Sequence, residues 1–490
     1  MELFLKPYAM MQRQTKSSLV LPCTVLGLLF SLGLPPFHYW AISIIALSVF
    51  FHFYVVSAKP KAVFNSVFVF SLSYFSISSY WIVNAFLVVI NNNYLGYFTG
   101  GIALLFVSVF MALITAVFVS VPSFLANKLN NQYICILLIP VAWSVSEYVR
   151  SIILGGLPMH YVGYMFGNSD YLIQLGSLMN VYVVSFFIVL ISLLLSHGFR
   201  SAGLGLCLFG GCLLFGIYRV DHMPPDRNKT IKEIKVRLVN ANLTQSQLIQ
   251  DQNSYRIVDK YIKLSTNISA EEFIPDLIIW PESVLRFYVD QGPMHKENRS
   301  YLSSFLKREQ RLITGAPRYE YAVGNNIKYY SSMVQLGSKG ELLDVYDKHR
   351  LVPWGEFIPY RELIPDKLAN IFDVKDYYPG EGPLTLNYKD TLEILPLICA
   401  EGHYPEMLSD YQKEQDLIVM IGNEAWFAGT TEPSQYMVNA RYRAVESGLP
   451  VLLASNKGYL AIIDKKGIVQ NSIYEHKPNV LDGTLKVELN

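Results

Sequence analysis

The sequence predicts a polytopic α-helical membrane bundle of about seven spans joined to an α/β domain. Three observations carry that prediction. Residues 1–220 are mostly apolar with sparse charges, whereas 221–490 have the mixed composition of a soluble domain. The apolar half divides into runs of bilayer length. The polar half alternates short apolar strands with turns that carry a carboxylate, an ammonium and a thiol.

The candidate spans are 18–34, 37–57, 63–90, 98–125, 132–149, 171–197 and 201–218. Each reaches across a hydrocarbon core of roughly 30 Å. Lys6, Arg13 and Lys16 precede the first run as they would in a signal sequence. No small-residue cleavage site follows them, which favours an uncleaved anchor. Basic residues then orient the bundle. Lys6, Arg13, Lys16, Lys59, Lys61, Lys128 and Arg200 fall at the N-terminus and in alternate loops, and the opposite loops hold only Arg150 as a clear basic residue. The positive-inside rule puts the N-terminus in the cytoplasm. An odd number of spans then puts the second domain outside, in the periplasm of a two-membrane cell, with the chain in the bacterial inner (plasma) membrane.

Bulk composition agrees. Hydrophobic residues make up 52% of the 490 and charged residues 16%, and mean hydropathy is +0.28. Net charge is +1 and no basic stripe stands out, so no nucleic-acid partner is expected.

In the second half, 236–239, 276–280, 311–315, 393–398, 416–421, 451–454 and 459–463 read as strands, and 434–447 as a helix capped by Gly448. Polar residues of interest follow the strands directly: Glu282, Cys399 and Asn423-Glu424-Ala425-Trp426-Phe427. Loops at strand ends are where a rigid sheet displays function.

Cys399 is the only cysteine after Cys212; Cys23, Cys135, Cys207 and Cys212 all lie in candidate spans. A lone thiol in an outside domain invites a functional explanation, although a buried inert cysteine explains the count equally well. Acyl transfer to a thiol needs a base for the thiol proton and a donor for the oxyanion. Glu282 suits the base if burial raises its pKa. Lys348 suits the oxyanion, with Glu356 and Glu401 holding it charged and oriented. Taken singly, each of these four also fits an ordinary strand-end or surface role. No histidine except His349 and His403 stands at a matching strand end, so a Cys–His dyad is the less natural reading. With no metal-ligand spacing and no glycine-rich phosphate loop, neither a metal nor any other cofactor is expected.

Trp280-Pro281-Glu282-Ser283, the run from Tyr346-Asp347-Lys348-His349 to Glu356-Phe357-Ile358-Pro359, and Leu397-Ile398-Cys399-Ala400-Glu401 together resemble the nitrilase superfamily. Gly422-Asn423-Glu424-Ala425-Trp426-Phe427 and Ala454-Ser455-Asn456-Lys457-Gly458 extend the likeness. In the apolar half, Gly33-Leu34-Pro35-Pro36-Phe37 and the segment from Trp143 to Arg150 are similar to motifs of its membrane-embedded branch, the apolipoprotein N-acyltransferases. The resemblance implies an αββα sandwich with a Glu282–Lys348–Cys399 triad. It implies transfer of an acyl chain from a phospholipid, through a Cys399 thioester, to the α-amine of a lipoprotein's N-terminal diacylglyceryl-cysteine. Asn423, Trp426 and Phe427 become candidate substrate contacts, and a monomer is expected. Two departures stand out: that branch usually carries a further C-terminal membrane helix and an aromatic where Ala400 stands. A membrane-tethered amidase and a catalytically silent lipoprotein-binding homologue are the alternatives. The stretch 357–378 reads either as a lid over the site or as a loop packed on its own domain.

Overall fold

Helix dominates the first part of the chain and sheet the second. The computed structural model describes residues 20–55, 59–90, 92–129, 133–222, 230–250, 254–266, 273–292, 294–307, 309–321, 327–363, 376–409 and 415–489. Two units form: residues 1–153 with 157–222, and residues 154–156 with 223–490.

In the first unit the long helix Asn93–Lys128 shows the logic of packing in lipid. Its buried face is made of small residues, including Gly100, Ser108, Ala112, Thr115 and Ala116, while Leu105, Phe106, Leu113, Val117 and Phe124 point outward. Small residues let helix backbones approach, and outward apolar side chains suit hydrocarbon rather than water. Among the described residues this helix and Phe199–His222 are long and apolar enough to cross a membrane. Pro60–Ser78 and Ile82–Val89 make a third if the pair, bent by 45°, is one span.

The remaining runs yield shorter or less apolar helices. Val20–Ser31, Trp40–Phe53 and Val181–Leu195 are apolar but shorter, and Tyr133–Arg150 ends on Glu147 and Arg150. Specific side-chain contacts stand at the breaks. Ser79 Oγ is engaged at 2.8 Å by the His160 ring where the third run bends. Asn180 caps the helix Val181–Leu195 by accepting from Tyr182 N–H at 3.1 Å, and a 3-10 turn, Leu172–Leu178, takes up the start of the sixth run. Glu147 and Arg150 are both buried 3.9 Å apart, Val162 N–H donates to Glu147 at 2.8 Å, and the Arg150 guanidinium lies over Phe75 at 4.7 Å. Both charges are buried and face each other, although Glu147 Oε2 and Arg150 Nε have no hydrogen-bond partner among the described residues.

Among its described residues the second unit holds twelve strands: β1 Thr230–Asn240, β2 Leu277–Ile279, β3 Arg311–Tyr321, β4 Ile327–Gly337, β5 Leu342–Asp347, β6 Leu386–Tyr388, β7 Leu392–Ile398, β8 Leu417–Asn423, β9 Val451–Asn456, β10 Leu460–Ile463, β11 Val469–Ile473 and β12 Asn479–Leu489. They form two six-stranded sheets, ordered β12-β1-β2-β3-β4-β5 and β11-β10-β9-β8-β7-β6. The central strands β1-β2-β3 and β7-β8-β9 run parallel.

Strand alternation builds the layers. Val236, Leu238, Leu417, Val419 and Ile421 enter one core shared by both sheets. Val239 faces a second core with Ile257, Val258 and Tyr261 of the helix Ser254–Thr266, and Leu302 of the helix His295–Ser303. Ile418 and Met420 face a third with Tyr436, Ala440 and Ala444 of the helix Glu432–Ser447. A period of two with both faces apolar makes a four-layer αββα sandwich. The capping expected of Gly448 is present: it takes φ 70° and donates its N–H to Ala444 O at 2.9 Å. Strands β1, β2, β3, β5, β7, β8 and β9 set up the turns that follow them, and the site is built on those turns.

Candidate active site

β7 ends at Ile398, and the next residue, Cys399, turns sharply into a 3-10 segment, Cys399–His403. Cys399 has φ 51°, a left-handed conformation that costs a non-glycine residue about 1 kcal/mol or more. The surroundings hold it there. Glu401 Oε2 accepts from Ile398 N–H at 2.8 Å, and Tyr436 Oη donates to Cys399 O at 3.0 Å. Cys399 is a free thiol, near enough to Glu282 and Lys348 for both to act on its titration.

Glu282 sits in the turn after β2. Trp280 N–H bonds Ile313 O at 2.9 Å and Gly315 N–H bonds Pro281 O at 3.3 Å, which ties this turn to β3. Gly315 is required by the close approach: a Cβ there would lie 2.8 Å from Glu282 Cα. Lys348 is the first residue after β5, its N–H continuing the ladder to Ser331 O at 2.8 Å. Its Nζ lies 2.9 Å from Glu356 Oε1 and 4.0 Å from Glu282 Oε1. Arg318, ion-paired with Asp290, Glu320 and Asp347, fixes the residue just before Lys348.

Glu356 and Glu401 act on the lysine differently. Glu356 touches Nζ directly and takes Val352 N–H on its other oxygen at 2.7 Å. Glu401 spends its carboxylate on backbone and a phenol: Tyr346 Oη at 2.7 Å, His349 N–H at 2.8 Å and Arg350 N–H at 3.0 Å on one oxygen, Ile398 N–H on the other. It therefore ties the loop after Lys348 to the strand before Cys399. The sequence reading has Glu401 holding Lys348 charged and oriented; the hydrogen bonds of its carboxylate go to backbone N–H groups and Tyr346.

The electrostatics suit general-base chemistry. Burial pushes the Glu282 carboxyl up to about 7, against the opposing pull of Lys348. Burial would lower Lys348, but Glu356, Cys399 and Glu282 outweigh it and the ammonium is held charged. Burial, then Glu282, raises the Cys399 thiol, so it rests protonated and needs a base. His403 is pushed down to about 3, by burial first and then by Arg443 and Lys348, and is neutral. His349 bonds Gly380 O at 3.1 Å. The structure groups Glu282, rather than either histidine, with the thiol.

The other expected residues are placed as follows. Asn423, at the end of β8, is buried in an internal network, donating to Gln245 Oε1 at 3.0 Å and accepting from Asn456 Nδ2 at 2.9 Å. Trp426 and Phe427 are half-buried just beyond it. Most of the expected lid, 364–375, lies outside the described residues. Two residues with ties to the site escaped the sequence reading: Tyr436, which bonds Cys399 O, and Glu432. Glu424 stands out in the sequence as a carboxylate directly after an apolar strand, but without an assigned role. Among the described residues no cluster of His, Cys, Asp or Glu has the makings of a metal site.

Residues 26–194 match the family model described as Apolipoprotein N-acyltransferase N-terminal domain, and residues 245–489 match the Carbon-nitrogen hydrolase model. An apolipoprotein N-acyltransferase of Rickettsia prowazekii is 30% identical over 77% of this chain and 76% of its own length. That of Allorhizobium ampelinum is 31% identical over 70% of this chain and 65% of its own, so the match spans just under two thirds of that relative. Saccharomyces cerevisiae Nit3, a member of branch 10 of the nitrilase superfamily, aligns with 54% of this chain and 93% of its own at 16% identity and a TM-score of 0.40.

Proposed function

Because the chain belongs to the apolipoprotein N-acyltransferase family, with a carbon-nitrogen hydrolase domain, we propose that it acylates lipoproteins through a thioester on Cys399. In the first step Glu282 takes the thiol proton and sulfur attacks the acyl ester carbonyl of a phospholipid. Lys348 stabilises the oxyanion. The tetrahedral intermediate collapses, Glu282 returns its proton to the departing alkoxide, and a lysophospholipid leaves. In the second step the α-amine of a diacylglyceryl-cysteine attacks the thioester, an amide forms, and the thiol is restored.

The single observation that carries this reading is the grouping of the Cys399 thiol with a buried Glu282 carboxyl raised to about 7, which lies 4.0 Å from the charged Lys348 ammonium. A base poised near working pH is what a protonated thiol requires. The apolar helices of the first unit supply the reason for a lipid donor: an enzyme acting on two membrane-bound substrates belongs in the membrane that holds them. The placement that follows is the bacterial inner membrane, multi-pass, with the N-terminus cytoplasmic, residues 1–220 as the membrane domain and 221–490 as a periplasmic catalytic domain. All three reacting side chains come from one chain, which supports a monomer.

The test is incubation with labelled phospholipid followed by a diacylated lipopeptide. Wild-type protein is expected to trap label as a hydroxylamine-sensitive acyl-enzyme and then pass it to the peptide. Cys399→Ala is expected to do neither. Absence of any acyl-enzyme in the wild type sinks the acyltransferase reading, and ammonia release from a small amide would replace it with amidase chemistry.

A further inference from the structure

Three successive residues at the end of β5 are each held by different partners. Tyr346 Oη donates to Glu401, Lys348 Nζ donates to Glu356, and Asp347 between them accepts from Arg318 and Ser332. The β4–β5 register sets Ser332 opposite Asp347, and its Oγ donates to Asp347 Oδ1 at 2.5 Å. Arg318 Nη1 donates to the other oxygen. Side chains along a strand alternate in direction, so a partner that fixes Asp347 also fixes the direction in which Lys348 leaves the strand.

Arg318 holds more than Asp347. Its Nε donates to Asp290 Oδ2 at 2.7 Å and its Nη2 to Glu320 Oε1 at 2.8 Å, so each guanidinium nitrogen serves a different carboxylate. Tyr330, paired with Arg318 across β3 and β4, lies with its ring 5.7 Å from the guanidinium and donates its Oη to Glu320 Oε2 at 3.3 Å. The side chains of Arg318, Asp290 and Asp347 are 14%, 8% and 17% exposed, so solvent screens these pairs weakly. A planar fork holds three carboxylates in fixed directions, which the single nitrogen of a lysine does not.

Two of these carboxylates belong to the segments that carry reacting groups. Asp290 lies in the loop that follows Glu282, and Asp347 immediately precedes Lys348. β3 stands between β2, which leads to Glu282, and the β4–β5 pair, which leads to Lys348. On β3, Gly315 packs against the Cα of Glu282, and three residues later Arg318 ties the same loop to the end of β5. Glu282 and Lys348 stand 4.0 Å apart, close enough to feel each other but not closed into a hydrogen-bonded pair. The proposed chemistry needs that spacing, because an ammonium displaced by roughly 1 Å either misses the oxyanion or captures the base.

We propose that Arg318 is a positioning residue for acyl transfer, a three-way clamp that holds the loop of Glu282 and the strand end of Lys348 in one frame. This rests on the acyltransferase reading. None of the three carboxylates on Arg318 belongs to the triad, so its effect reaches the reacting groups through Asp347 and Asp290.

The test compares Arg318→Lys, which keeps the charge and loses the fork, with the milder Asp347→Asn, which keeps the shape and loses the ion pair. Single-turnover labelling with phospholipid reads the amount of acyl-enzyme, the rate constant at saturating donor and the donor concentration at half-maximal rate. The rate constant is expected to fall by about tenfold or more in both variants. Half-saturation is expected to stay within about twofold of wild type, since the clamp acts on the transition state rather than on lipid binding. The double variant is expected to be within about twofold of the slower single one, because both break the same link. A wild-type rate constant in Arg318→Lys shows that charge alone suffices and overturns the clamp. A fall confined to the amount labelled, as from lost folded protein, or to half-saturation also overturns it, and multiplied losses in the double variant overturn the route through Asp347. A wild type that forms no acyl-enzyme overturns the acyltransferase reading and the clamp with it.

Discussion

Lys348 Nζ is 2.9 Å from Glu356 Oε1, more than an ångström closer than it is to Glu282. The lysine is thus committed to one carboxylate, which leaves the other free to exchange a proton with Cys399. In Glu356→Gln the ammonium loses its nearest charge and turns to Glu282, locking the base as an ion pair. Acyl-enzyme formation is expected to fall by about a hundredfold, and the fold to lose about 3 kcal/mol from the broken buried pair. Single-turnover labelling and thermal unfolding check both; a variant with wild-type labelling rates refutes the assignment.

The pH dependence follows from Glu282. Only its ionised form accepts the thiol proton, so the rate of acyl-enzyme formation is expected to rise with pH and level off above about 7. A flat profile between about pH 6 and 8, on the order of one unit either side of that value, would show that another group limits the step. The same shift costs stability. In the unfolded chain the carboxyl ionises near its ordinary 4.5, so its contribution favours the folded state below 4.5 and is lost as pH rises toward 7.

How much was legible in the sequence depended on whether burial left a local mark. β8 is buried along its whole length and reads as an unbroken apolar run; β12, at a sheet edge, alternates buried Leu481, Leu485 and Val487 with charges and was not read as a strand. Glu282, Lys348 and Cys399 stood out because each polar group directly follows a strand. Glu432 did not, because an acidic residue in the first turn of a helix is ordinarily solvated, and only the tertiary fold buries it. Run length was visible in the apolar half, but the bend after Ser78 sits where Ser79 meets His160, a partner far along the chain. Glu401 stands out in the sequence beside Cys399, but which N–H groups converge on it is set by segments distant in sequence.

Gly315 offers a test of how tightly the base is placed. Gly315→Ala puts a methyl group 2.8 Å from the Cα of Glu282, against backbone that cannot rotate away. Overpacking of this kind costs about 1–3 kcal/mol. The larger effect is expected in chemistry, because moving Glu282 by a fraction of an ångström lengthens its reach to the thiol. A fall in acyl-enzyme formation larger than the stability loss accounts for, measured at a temperature where the variant is fully folded, is the expected outcome. Unchanged rates with lowered stability would mean that the turn relaxes elsewhere.

Glu401→Gln separates orientation from charge. The carboxylate receives four donors, three of them backbone N–H groups from His349, Arg350 and Ile398. An amide presents an NH2 in place of one oxygen, and every partner at this site is already a donor, so at least one N–H faces another N–H. If the amide nitrogen takes the Oε2 position, Ile398 loses its acceptor and the start of the Cys399 turn is freed. If it takes the Oε1 position, three donors are stranded and the Lys348 loop is freed. The second costs more hydrogen bonds, so the amide is expected to turn its nitrogen toward Ile398. A stranded buried donor costs about 1–3 kcal/mol, which is the expected loss in thermal or denaturant unfolding. Because Cys399 holds a left-handed conformation that its neighbours must maintain, acyl-enzyme formation is expected to drop with it. Glu401→Gln with native stability and native labelling would show that the carboxylate is dispensable as the link between the two loops.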